Sequence, residues 1–172
     1  TGKTAVVTGA GSGMGRAFAE RFARAGMNVV LADVEEPKLA EAVAAITATG
    51  AQAIGAPTDV TDADAVDRLR DSAIDAFGRV HVLCNNAGVA GGGPIWAQSK
   101  ADWDWVLGVN LFGVIHGITA FTPLLTEQGA GHIVNTASIA GHVSLPFMGP
   151  YNVSKHGVVT LSETLLHELG HA

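Results

Sequence analysis

Residues 4–15 read TAVVTGAGSGMG, a β-branched apolar run that breaks at Gly9, Gly13 and Gly15 before a segment of helical period begins. Glycine admits φ > 0 and lets an anion approach the backbone without a Cβ in the way. The N-terminus of the following helix offers unpaired N–H groups and the positive end of its dipole. In a chain with 22 glycines such a turn is a weak signal by itself. Its context gives it weight: it follows a strand, opens a helix, and a second apolar run, NVVLAD, ends in Asp33. An acid at that distance takes the ribose hydroxyls of a dinucleotide whose pyrophosphate rests on the glycine turn. The alternative is a tight turn with no ligand. Asp33 also bears on which dinucleotide binds. A carboxylate accepts from a free 2′-hydroxyl and repels a 2′-phosphate, and neither Ser12 nor Val34 supplies a compensating cation, so NAD is expected over NADP. Arg16 lies one helical step past the glycines, where it caps or pairs on the surface.

Outward from this turn, short Val-rich runs alternate with helical segments. TAVVT is followed by MGRAFAERFARAG, NVVLA by EEPKLAEAVAAITATG, AQAIGAP by DADAVDRLRDSAIDAFG, and VHVLCN comes next. Continuous apolar strands joined by helical crossovers predict parallel pairing with both sheet faces covered. Gly26, Gly50 and Gly78 stand where helix C-caps belong. After the glycine-rich GVAGGGP come a long helix from about Lys100 to Thr126, a strand HIVNTAS, and a last helix from about Tyr151. The fold class is α/β, a Rossmann-type doubly wound parallel sheet with helices on both faces. No linker or repeat divides it, so residues 1–172 form a single domain.

Bulk composition excludes several classes. The 172 residues are 48% hydrophobic and 15% charged, which describes a globular domain with a substantial core. The formal net charge is −6 and no basic run occurs, so neither nucleic acid nor an anionic membrane surface is an expected partner. Cys84 is the one cysteine. Without a disulfide framework the expected setting is a reducing cytoplasm, and Cys84 reads as a small buried hydrophobe. There is no basic n-region with an apolar run and cleavage site at the start. The most apolar stretch, VLGVNLFGVIHGITAF, is shorter than the roughly 20 residues a spanning helix needs and is interrupted by Asn110 and His116. It is expected to be a buried helix.

The candidate chemistry lies near the end. Tyr151 is the only tyrosine, and Lys155 follows at i+4, on the same face of a predicted helix. A free phenol, with a pKa of about 10, is a poor base at neutral pH, and a nearby cation favours its phenolate. Ser138 closes the preceding strand at its C-terminal end, the edge where open α/β sheets bind ligands. Its hydroxyl can hold a substrate oxygen.

With these motifs in order, the chain resembles a short-chain dehydrogenase/reductase of the NAD-dependent kind over nearly its whole length. The family's TGxxxGxG matches Thr8–Gly15, including Ser12 and Met14. Its DV pair after the third strand matches Asp59 and Val60, implying contact with adenine. Its NNAG matches Asn85, Asn86, Ala87 and Gly88, which by the resemblance stabilise the sheet and line the cofactor cleft. Its active-site Asn, Ser and YxxxK fall on Asn110, Ser138, Tyr151 and Lys155. The resemblance implies hydride transfer between an alcohol carbon and a nicotinamide, with no metal. Tyr151 would be the general acid/base and, with Lys155, would contact the bound cofactor; Ser138 would orient the carbonyl or alcohol, and Lys155 would bind the nicotinamide ribose and lower the Tyr151 pKa. Asn110 would hold a water in a proton relay reaching Lys155.

Members of the family run longer than this chain, which stops within the helix carrying YxxxK. The last strands, a PG-containing turn and a substrate-covering loop are therefore absent, and a longer native protein is expected. From Val106 to Ala172 the only acidic or basic residues are Glu127, Lys155, Glu163 and Glu168. That is too few to solvate two exposed helices, so a homodimer or homotetramer is expected through the helices at 100–126 and 151–169. The apolar GHVSLPFMG before Tyr151, with Trp96, suggests a hydrophobic secondary alcohol or ketone as substrate. Two other functions stand beside this one. His167, Glu168 and His171 spell the H-E-x-x-H of a zinc peptidase, but only Ala172 follows to supply a third ligand. A cofactor-binding sensor without turnover would carry a degraded catalytic set, and this one is intact.

Overall fold

The computed structural model describes residues 2–170. Five strands form one parallel sheet: β1 (Thr4–Thr8), β2 (Asn28–Asp33), β3 (Ala53–Pro57), β4 (Val82–Asn85) and β5 (His132–Asn135), in the order β3-β2-β1-β4-β5. The connections run in opposite directions on the two sides of β1. The β1/β4 boundary is thus the topological switch point, outside which α/β sheets bind ligands.

β1 is buried along its whole length, and its alternate residues serve two cores. Val6 joins Val30, Leu69, Leu83 and Phe121 beneath α3 (Ala63–Phe77) and α5 (Gly113–Glu127). Val7 joins Leu31, Leu39, Ile46 and Cys84 beneath α1 (Gly13–Arg24) and α2 (Glu36–Thr47). This period-2 division explains why the strands read as unbroken apolar runs. Helix α3 begins on Asp62, whose side chain accepts from Asp64 N, and ends on Gly78 at φ 74°. Gly26 and Gly50 also take the left-handed conformation after their helices.

The long helix differs from the uninterrupted one expected. It runs as α4 (Lys100–Leu107), a π-helical turn over Gly108–Phe112, and α5. The wide turn surrounds Asn110, fully buried, whose side chain bonds outside the helix. One extra residue per turn is a common device for re-aiming a functional side chain. The combined 28-residue helix is apolar enough by length and composition to cross a membrane, with a mean hydropathy of 1.5 over its most apolar window. Only 39% of that window is buried, so the helix expected to be buried is so on one face: Gly113 packs against Val60, Gly117 against Asn85, and Phe121 is completely buried.

The last helix, α6 (Gly149–Leu169), starts two residues ahead of Tyr151. A polar chain ties it to the sheet. Asn85 Nδ2 donates to Asn135 Oδ1 at 2.9 Å, and Asn135 Nδ2 donates to Ser162 Oγ at 3.0 Å. Asp102 closes a capping box with Ser99, and Asp104 pairs with Lys100.

Candidate active site

The glycine turn has the backbone its residues demand. Gly9 and Gly13 take φ of 64° and 54°. A Cβ on Gly9 would lie 2.8 Å from Ala87 Cα, and one on Gly15 would lie 2.6 Å from Asn86 Nδ2, so the ends of β1 and β4 meet only because these residues lack side chains. Thr8 fastens them. Its Oγ1 accepts from Asn86 N at 2.9 Å and Ala87 N at 3.1 Å, while Asn86 Nδ2 donates to Thr8 O at 3.0 Å. Helix α1 opens at Ser12 with no side-chain cap, which leaves its first-turn donors to whatever sits in front of them.

That space is a cleft of about 740 Å³. Gly9, Ser12, Gly13, Met14, Gly15, Asp33, Asp59, Val60, Asn86, Ala87 and Gly88 all line it, together with Thr58, Trp105 and Val109, which the sequence patterns did not single out. Asp33 is fixed by the local backbone: Oδ2 accepts from Gly11 N at 2.8 Å and Oδ1 from Glu35 N at 2.9 Å. The nearby cations are engaged elsewhere, Arg16 with Glu20 and Glu41, and Lys38 with Glu35.

A second group adjoins the cleft at Gly88. A Cβ there would stand 3.5 Å from Asn110 Oδ1 and 3.9 Å from Lys155 Nζ. Asn110 clasps the backbone of Val89, accepting from its N–H and donating to its carbonyl, each at 2.8 Å, and it donates to Ser154 Oγ at 3.2 Å. Ser154 donates in turn to Tyr151 O at 2.7 Å. Lys155 is only 4% exposed, so it is not the surface lysine its type alone suggests. Its ammonium donates to Thr136 O at 2.7 Å and stands 5.7 Å from the centre of the Tyr151 ring. Burial pushes its pKa below the ordinary lysine value. Ser138 begins a short 3-10 turn, Ile139–Gly141, with Oγ accepting from Ala140 N at 3.2 Å. A Cβ on Gly141 would lie 2.7 Å from Lys155 O, so the turn that starts at Ser138 packs directly on α6.

Thr8, Thr136 and Ser154 are the polar contributors that sequence patterns missed. Thr8 and Ser154 lie inside the quoted motifs, but what they bond is far away in the chain. The remaining candidates fall elsewhere. Cys84 is buried, which pushes its pKa up to about 11. His167 and Glu168 are exposed on the last turn of α6, and His171 lies outside the described residues. Among the described residues no three of His, Cys, Asp and Glu gather as a metal-ligand set.

A family model for short chain dehydrogenases matches residues 3–172. The chain belongs to this family. The 1-deoxy-11-beta-hydroxypentalenate dehydrogenase of Streptomyces exfoliatus is 41% identical over 170 residues, 97% of this chain and 62% of that protein. A short chain dehydrogenase/reductase from Burkholderia phymatum, solved in complex with NAD, is 56% identical with a TM-score of 0.97. The match covers 98% of this chain and 60% of that one. A metagenomic short-chain oxidoreductase in complex with NADP is 35% identical with a TM-score of 0.95, over 99% of this chain and 78% of that one. This short-chain dehydrogenase chain therefore spans about three fifths of the length of the first two.

Proposed function

We propose that the chain supplies the cofactor cleft and catalytic groups of an NAD-dependent oxidoreductase that interconverts a secondary alcohol and a ketone. The observation that carries this is the placement of Lys155: a buried ammonium beside the only tyrosine, adjoining a glycine-walled cleft through Gly88. The cleft fits a dinucleotide. Gly9, Ser12, Gly13, Met14 and Gly15 form a side-chain-poor cradle at a helix N-terminus for the pyrophosphate. Asp33 faces the ribose hydroxyls, Asp59 and Val60 the adenine, and Asn86, Ala87 and Gly88 the inner wall. The solved neighbours bind NAD in one case and NADP in the other, so the preference for NAD rests on Asp33 and on the pairing of Arg16 and Lys38 with glutamates.

When bound, the nicotinamide supplies or accepts the hydride at the carbinol carbon. The chain's residues handle the proton. In the reducing direction the Tyr151 hydroxyl gives its proton to the carbonyl oxygen while Ser138 donates a hydrogen bond to that oxygen. The Lys155 ammonium stabilises the negative charge left on Tyr151 and holds the nicotinamide ribose. Asn110, fixed to Val89, keeps a water in line for return of the proton through Lys155. In the oxidising direction the same groups act in reverse.

The substrate is taken to be a small-to-medium hydrophobic alcohol or carbonyl compound. The proposed assembly is a homodimer or homotetramer in the cytoplasm, with neither nucleic acid nor membrane as partner. Its contact faces are those of the helices at 100–126 and 151–169, where Phe112, Val153 and Leu166 are exposed. The test is Tyr151→Phe. Turnover should fall by roughly 10²–10⁴-fold, the usual worth of a positioned acid/base, with a far smaller change in NADH affinity. Retained turnover would remove Tyr151 from the chemistry.

A further inference from the structure

The loops that leave the C-terminal ends of β4 and β5 meet just ahead of α6. Gly93 N donates to Phe147 O at 2.8 Å, and Gly93 and Met148 form an isolated parallel bridge. Gly93 takes φ 143°, and a Cβ there would lie 2.6 Å from Gln98 Nε2, so only glycine makes this contact without strain. From the other side, Asn152, itself buried, donates Nδ2 to Leu145 O at 2.7 Å and accepts at Oδ1 from Leu145 N at 3.3 Å. Phe147 lies between these two anchors. Among the described residues it is the one non-glycine with positive φ, at 63°. A bulky residue keeps such a conformation only where its surroundings over-determine it, and such residues cluster at ligand clamps and active sites.

The strained backbone presents its aromatic side chain outward: Phe147 is 63% exposed, four residues ahead of Tyr151. Across the bridge, Trp96 is 86% exposed and Ile95 is 56% exposed. Core packing therefore does not explain the strain. Both loops belong to the strand ends where an open α/β sheet receives its ligand, and one of them starts at Ser138.

The geometry points to Phe147 as a specificity-determining residue. Its ring takes the apolar part of the ketone or alcohol acting at Ser138 and Tyr151, and Asn152 and Gly93 are positioning residues that hold it there. This rests on the oxidoreductase function proposed above.

The probes are 2-butanone and acetophenone, with kcat and KM measured separately for each and NADH affinity measured by fluorescence. Phe147→Ala and Phe147→Gly should both lower kcat/KM for acetophenone relative to 2-butanone by about 10-fold or more, the range for a lost apolar pocket contact, and leave NADH affinity unchanged. Phe147→Gly should melt higher than Phe147→Ala, because glycine accepts the positive φ. Asn152→Ala should reproduce the loss of selectivity, whereas in the Phe147→Ala background it should change the ratio no further, since the ring it positions is gone. An unchanged ratio in the two Phe147 variants overturns the inference, and being at an exposed site they decide it even if Asn152→Ala folds poorly. A full Asn152→Ala effect on the ratio without the ring overturns the positioning role. If the unsubstituted protein binds NADH but reduces neither ketone, the apolar-ketone assignment falls. Failure to bind NADH instead overturns the oxidoreductase function beneath it.

Discussion

Lys155 carries its charge in a site that water hardly reaches, and the fold bears a cost for it. Burial lowers its folded-state pKa, so the unfolded chain holds the proton more readily. The sign follows: the cost is greatest below the lowered folded pKa and is relieved as pH rises towards the ordinary value of 10.5. Lys155→Met should therefore flatten the rise in urea midpoint between pH 7 and pH 10 without lowering the midpoint at pH 7. Turnover should meanwhile fall by roughly 10²–10⁴-fold. A large loss of stability at pH 7 would mean that the ammonium is mainly a structural donor to Thr136. The pairing of Lys155 with Tyr151 was legible in the sequence because i,i+4 spacing places them on one face and tyrosine occurs once. The burial of Lys155 was not, because Thr136 and the turn ending at Gly141, which cover it, come from a different element.

The long helix over Lys100–Glu127 shows where periodicity reaches its limit. Its apolar pattern predicts one continuous helix, and the boundaries agree to within a residue. The π turn escapes such a reading because nothing local demands it. It surrounds Asn110, whose partners Val89 and Ser154 lie 21 and 44 residues away. Asn110→Ala would leave both backbone groups of Val89 without their partner in a half-buried site. It should cost about 1–3 kcal/mol in urea unfolding, the penalty for an orphaned buried polar group, and should lower kcat as well. A neutral effect on stability would show that water replaces the side chain freely. Phe147 was illegible for a related reason: its strain arises where two loops meet, and neither loop alone predicts it. The glycine turn was legible because its pattern is local, three residues without Cβ between a strand and a helix, although the contacts that require Gly9 and Gly15 come from Ala87 and Asn86.

For the whole molecule, strand–helix alternation was enough to predict the sheet, since parallel crossovers leave few topologies open. The order β3-β2-β1-β4-β5 then brings the glycine turn, Asp33 and Gly88 to one cleft at the switch point. Surface properties point outward from there. Val153 and Leu166 are 47% and 70% exposed on α6, in a half of the chain with few charges to solvate it. Leu166→Glu should shift sedimentation from the dimer or tetramer towards monomer, and an unsubstituted protein that sediments as a monomer at micromolar concentration would remove the proposed interface. The central claim, that this cleft binds NAD for hydride transfer, is tested most directly by titrating the protein with NADH and then NADPH, a chelator being present throughout. Tight NADH binding, much weaker NADPH binding and no effect of the chelator are predicted; if neither nucleotide binds, or if binding requires a metal, the account is contradicted.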